Sequence, residues 1–168
     1  MKIFLVGFMG SGKTTIGKHL SGQIGFGFVD TDRFIEKQQG MTVPEIFAQH
    51  GEVAFRDMER NVLQEIRKLD YTVVATGGGM PCYNDNMDLM RSSGKVVYLK
   101  TSPKTLSRRL LRSYKVRPLI KGKTEKELQL YIIEKLNERE HFYNRAHFVV
   151  PTENFSMEGL LRLLGFGV

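Results

Sequence analysis

The chain has one cysteine, Cys82, among its 168 residues, so no internal disulfide can form, and an idle or buried thiol in a reducing compartment is the expected state. Long apolar runs are missing too. Lys2 to Gly7 falls far short of the roughly 20 residues that span a bilayer, and it lacks a cleavable signal layout. A soluble, unprocessed, cytoplasmic protein with no membrane partner is therefore expected. Internal repeats, low-complexity tracts and Ser/Pro-rich linkers are absent, which with the length and 41% hydrophobic residues predicts a single domain over 1–168. His19, His50, His141 and His147 show no metal-ligand spacing, and the eight methionines read as core filler.

The net charge of +7 admits a polyanionic nucleic acid or a small anionic substrate. Its distribution favours the second. Basic residues cluster from Arg108 to Lys123, with Tyr114 the only aromatic among them. No run of stacking aromatics and no zinc-finger spacing accompanies them, so no nucleic-acid partner is expected.

Short apolar runs alternate with periodic stretches. Strand-like runs lie at Lys2 to Val6, Phe26 to Val29, Thr72 to Ala75, Lys95 to Leu99 and His147 to Val150. Helices are predicted from Lys13 to Ser21 and from Glu52 to Leu69, where Phe55, Met58, Val62, Ile66 and Leu69 fall on one face. Ser102-Pro103 reads as an N-cap followed by proline in the first turn, and Thr124 with Glu127 as a capping box. This alternation predicts an α/β fold with a parallel sheet, helices on both faces and ligands at the carboxyl ends of the strands.

The first strand runs into Gly7-Phe8-Met9-Gly10-Ser11-Gly12-Lys13-Thr14 and then a helix. Phosphate oxygens need several N–H donors at close range, and the glycines let the backbone approach. Lys13 reaches the β and γ phosphates and the Thr14 hydroxyl ligates Mg²⁺, so the motif predicts ATP and Mg²⁺ together. Asp30, at the end of the second strand, is the candidate metal-directing carboxylate. The third strand ends instead in Thr76-Gly77-Gly78-Gly79, which offers backbone donors and open space, or merely a flexible turn.

Gly10-Ser11-Gly12-Lys13-Thr14-Thr15, Asp30-Thr31-Asp32, Glu52 to Arg56 as Gly-Glu-x-x-Phe-Arg preceded by Gly51, Gly77-Gly78-Gly79, Val116-Arg117-Pro118-Leu119 and Arg139 occur in the order and spacing of shikimate kinases, which the chain resembles from Phe4 to about Val150. The resemblance implies a five-stranded parallel sheet of the P-loop nucleoside-monophosphate-kinase kind, a monomer, a substrate-binding segment over about 31–60 and a lid over about 109–123. It implies transfer of the γ-phosphoryl group of ATP to shikimate in aromatic amino-acid biosynthesis. Gly10, Ser11, Gly12, Lys13, Thr14, Thr15 and Arg117 would bind ATP. Arg56 and Arg139 would clamp the substrate carboxylate, Gly78 would give a backbone N–H between Gly77 and Gly79, and Asp32 would orient or deprotonate the attacking hydroxyl. Thr14 would touch Mg²⁺ directly and Asp30 through water. Lys13, Asp32 and Arg117 form the catalytic set, with Arg109 near the adenine.

Plainer roles remain open. Asp30 and Asp32 suit helix caps, Arg56 suits a pair with Glu52, and Arg109 and Arg139 suit solvated helix surface. The chain also departs from many relatives in carrying Pro151-Thr152 in place of an Asp-Thr pair, and long basic and aromatic residues in the lid.

Overall fold

In the computed structural model, which describes residues 1–113 and 120–167, the apolar run Lys2–Val6 becomes β1. Every one of its residues is buried, because β1 occupies the middle of a five-stranded sheet and is covered on both faces. β2 (Gly27–Asp30), β3 (Thr72–Ala75), β4 (Lys95–Lys100) and β5 (Phe148–Pro151) complete the order β2-β3-β1-β4-β5, all parallel.

Successive residues of each strand point to opposite faces, and two separate cores result. Phe4, Val6, Val74, Val96 and Tyr98 face α2 (Thr31–Gln39), α3 (Val43–Ile66), α4 (Asn86–Ser93), α5 (Pro103–Leu111) and α6 (Glu125–Tyr143). Ile3, Leu5, Val73, Val97 and Leu99 face α1 (Lys13–Ile24) and α7 (Met157–Leu163). The expected fold is therefore present. Both predicted caps form: Ser102 Oγ accepts from Thr105 N, and Thr124 and Glu127 exchange capping bonds.

The third helix departs from expectation. It begins at Val43 behind a second capping box, Thr42 with Glu45, and runs to Ile66 with one non-helical residue, Gly51 (φ 79°, ψ 175°). The stretch from Glu52 is thus the second segment of a broken helix. It also ends sooner than predicted. The chain turns through Asp70 and Tyr71 to enter β3, which leaves Leu69 outside the helix and partly exposed, while Phe55, Val62 and Ile66 stay buried. The predicted strands at Phe26 and His147 begin one residue later, at Gly27 and Phe148.

No described helix is long and apolar enough to cross a membrane. The register aligns the carboxyl ends of three strands. Leu5 pairs with Ala75, and Asp30 pairs with Ala75 from the other side, so β1, β2 and β3 release their following loops side by side.

Candidate active site

The loop from Gly7 to Gly12 closes on itself before α1 begins. Ser11 N donates to Phe8 O at 3.1 Å, and the buried Lys13 ammonium donates to Gly7 O at 2.7 Å and Phe8 O at 2.9 Å. The lysine on the first turn of the helix thereby gathers the loop around its own charge. Ser11 Oγ is the buried side-chain polar atom left without a hydrogen-bond partner among the described residues. An unmatched hydroxyl beside a buried ammonium and a helix N-terminus suits an anion with several acceptor oxygens.

Thr14 and Asp30 meet at the adjoining strand end. Thr14 Oγ1 donates to Asp30 Oδ2 at 2.8 Å, while Asp30 Oδ1 accepts from Arg33 N at 3.3 Å and caps α2. The cap role and the site role are thus held by different oxygens of one carboxylate. With its hydrogen given to Asp30, the Thr14 oxygen keeps its lone pairs as a hard donor of the kind Mg²⁺ takes alongside phosphate and water. No group of three or more His, Cys, Asp or Glu side chains suited to a metal occurs among the described residues, so an ion here would draw most ligands from nucleotide and solvent.

Gly10 to Thr15, Asp30, Asp32, Thr76 and Gly78 line one cleft of about 580 Å³, together with Arg109, Thr152 and Phe155. Arg109 lies over the loop, its Nη1 donating to Gly10 O at 3.2 Å. Arg117 lies outside the described residues, as does all of Val116-Arg117-Pro118-Leu119.

Beside this cleft the three glycines make a second cluster. Gly77 N donates to Thr31 Oγ1 at 2.9 Å, and Tyr143 Oη donates to Gly78 O at 2.6 Å, so the segment is braced and not a loose turn. Two of the glycines stand against the ends of charged side chains, which a Cβ would displace. A Cβ on Gly77 would stand 2.6 Å from Asp32 Oδ1 and 3.1 Å from Glu59 Oε1, and one on Gly79 would stand 2.6 Å from Arg56 Nη1. Gly78 lies against the phosphate loop, where a Cβ would meet Met9 N at 3.4 Å.

Arg56 sits between two carboxylates on its own helix. Nη1 donates to Glu59 Oε2 at 2.8 Å, and Nε and Nη2 donate to Glu52 Oε1 at 3.3 and 3.1 Å. The pairing with Glu52 is therefore real. It also fixes the guanidinium beside Asp32 and the glycines. Arg139 is half-buried, its Cζ 5.8 Å from the centre of the Phe8 ring, and its charge reaches Glu59, Glu52 and Tyr143. Its neighbours Glu138 and Glu140 look elsewhere, toward Lys135 and Lys100. The structure thus brings Asp32, Arg56, Gly77, Gly78, Gly79 and Arg139 together.

Sequence reasoning missed Glu59, Tyr83, Tyr143 and Thr31. Glu59 is only 1% exposed, yet it follows Phe55 by four residues and so falls in the apolar stripe of α3. That placement was the available signal. Burial pushes its carboxyl up to about 7 against the pull of Arg56, with the Asp32 charge adding to the rise and Arg139 opposing it. Cys82 is an idle thiol on this geometry, pushed up to about 11 by burial.

The shikimate kinase family model matches residues 9–162. A shikimate kinase of Parabacteroides distasonis is 43% identical over 157 residues, covering 94% of this chain and 91% of that protein. Among solved structures, the shikimate kinase of Bacteroides thetaiotaomicron superposes with a TM-score of 0.95 at 38% identity over 99% of each chain. The shikimate kinase of Acinetobacter baumannii, solved in complex with shikimate, gives 0.85 at 36% identity over 96% of this chain and 89% of that one.

The buried carboxyl of Glu59 has a consequence for stability. Its folded value near 7 lies above the ordinary 4.5, so the folded state holds a proton that the unfolded state has released between those values. Its contribution is fully present below about pH 4.5 and is lost as pH rises through about 7. Urea melts of the native chain and Glu59→Gln across this range should diverge by on the order of 3 kcal/mol, the native chain losing stability relative to the variant as pH rises. Parallel pH profiles would refute a raised Glu59.

Proposed function

This chain belongs to the shikimate kinase family, and we propose that the cleft at the phosphate loop and the cluster beside it are the ATP and shikimate halves of one site. The chain transfers the γ-phosphoryl group of ATP to the 3-hydroxyl of shikimate, giving ADP and shikimate 3-phosphate. The residue roles that follow are our assignment.

The loop amides from Gly10 to Thr15 and the N-terminus of α1 receive the phosphates. Lys13 leaves the carbonyls of Gly7 and Phe8 for the β and γ phosphates, exchanging two neutral acceptors for charged ones. Mg²⁺, bound directly by Thr14 and through water by Asp30, would supply charge neutralisation on the phosphate oxygens. Arg109, with Phe155 and Thr152 across the cleft, borders the space left for the base. Arg117 is assigned to the charge developing on the transferred group by family resemblance alone.

On the acceptor side, Arg56 and Arg139 hold the carboxylate of shikimate. Gly78 contributes its N–H. Asp32 takes the ring hydroxyls, orients the attacking oxygen and receives its proton as the new P–O bond forms and the bond to the ADP oxygen breaks. The observation that carries this reading is the placement of the Arg56 guanidinium. It stands against Gly79 in a segment whose next glycine back, Gly78, lies against the phosphate loop, so a carboxylate bound there would keep its ring close to that loop. Turnover compared across shikimate, gluconate and nucleoside monophosphates by coupled ADP release tests the acceptor. Turnover with gluconate or a nucleotide but not shikimate would overturn it.

Two substitutions test the clamp. Arg56→Ala removes a charge-assisted contact worth about 1.5 to 3 kcal/mol, so shikimate should bind roughly ten- to a hundredfold more weakly. Wild-type affinity by calorimetry would exclude the clamp. Gly79→Ala places a Cβ 2.6 Å from Arg56 Nη1, so the guanidinium must shift, and it should raise KM for shikimate while leaving KM for ATP unchanged. A rise in the ATP value alone would contradict the division into halves.

A further inference from the structure

The geometry points to Tyr83 as a positioning residue for the acceptor carboxylate, acting on Arg56 through the face of its ring. The inference deepens the site proposed above and rests on Arg56 being the carboxylate clamp. Tyr83 belongs to neither the phosphate loop nor the glycine run.

A guanidinium must be fixed in its own plane and across it before it can present two parallel N–H bonds to a carboxylate. Two carboxylates fix Arg56 within the plane, Glu59 at Nη1 and Glu52 at Nε and Nη2. Across the plane the closest ring is Tyr83, whose centroid lies 3.9 Å from Cζ, against 5.5 Å for Phe55 and 6.0 Å for Phe47. The hydroxyl of the same ring donates to Glu52 Oε1 at 2.9 Å. Tyr83 therefore touches both the cation and the exposed carboxylate that holds one of its edges, and a single side chain sets their relative position.

The segment carrying Tyr83 is itself held in place. Cys82 N donates to Gly79 O at 2.9 Å, Asn86 N to Tyr83 O at 3.3 Å, and the buried Asn86 Nδ2 to Met80 O at 3.0 Å. Arg60, one turn along α3 from Arg56, reaches back to Asp85 at 2.7 Å and Asn86 Oδ1 at 3.3 Å. The ring and the guanidinium thus hang from two elements tied together on either side of the contact. Glu52 also occupies the Nε/Nη2 edge, which an incoming carboxylate would take in a bidentate approach. Glu52 is more than half exposed, so releasing that edge returns its carboxylate to water.

Fixing a rotamer-rich arginine before the substrate arrives removes an entropic penalty from binding. Because the carboxylate contact is the same in ground and transition states, its loss appears in KM and not in kcat. Tyr83→Ala and Tyr83→Leu should raise KM for shikimate roughly three- to tenfold, with kcat and KM for ATP within about twofold of native, since both remove the π face and Leu keeps apolar bulk. Tyr83→Phe retains the stack and should restore KM to within about twofold. A native KM in Tyr83→Leu, an equal rise in both substrates' KM, or a failure of Phe to rescue would each overturn the proposal. Arg56→Ala measured in parallel separates the two levels: native shikimate affinity there removes the clamp itself, whereas weak binding there with native behaviour in Tyr83→Leu removes only the role of Tyr83.

Discussion

Thr76 donates twice to Leu5 O, from its amide at 3.2 Å and its hydroxyl at 3.1 Å, just beyond the last paired residues of β1 and β3. This junction fixes the separation of the two segments on which everything else hangs. From Leu5 the chain passes through Val6 into the phosphate loop, and from Thr76 it passes into the glycines. Parallel neighbours release their carboxyl-end loops in the same direction, so two segments about 70 residues apart in sequence emerge in contact. Gly78 against Met9 N is the visible result. A phosphoryl donor and acceptor held on these two segments need no large movement of the sheet to meet, and pre-set proximity of this kind is a major source of rate acceleration.

The proposed acceptor half is a group of five charged side chains, one of them almost fully buried. Asp32 from α2, Glu52, Arg56 and Glu59 from α3 and Arg139 from α6 converge there, and Glu59 has almost no access to water. A buried carboxylate is unfavourable unless paired, and Arg56 is the partner that makes it tolerable. The same carboxylate holds Arg56 where a mobile side chain would otherwise sweep. The stability given up to bury Glu59 is thus spent on orientation, the general bargain by which functional sites accept locally unfavourable chemistry.

Local features of the fold were legible, and the reason is range. Strand periodicity, the phosphate loop and the caps at Ser102 and Thr124 each depend on residues within one or two turns of one another. Gly51 shows where that legibility ends: the periodic stretch reads only from Glu52 onward, yet helix already runs from Val43 and resumes at once beyond the glycine. The acceptor site was readable only as far as family resemblance named its positions. Glu59 was hidden because a charged residue in an apolar stripe looks like an interruption of the pattern. Tyr83 and Tyr143 were hidden because their partners, Arg56 and Gly78, lie 27 and 65 residues away and no local period links them.

For Asp30 and Arg56 the plainer role and the proposed one are compatible. Asp30 caps α2 with one oxygen and holds Thr14 with the other, and Arg56 pairs with Glu52 while facing the glycines. A structural bond and a bond to substrate on the same side chain would be mutually supporting, since the first removes rotational freedom that the second would otherwise have to remove. A helix pair at i and i+4 that would contribute only a few tenths of a kcal/mol on an open surface acquires more value here, where it aims a guanidinium. The arrangement places functional carboxylates and arginines on first turns and inner faces of helices, where the pairing that the local backbone already demands also sets the geometry of the site.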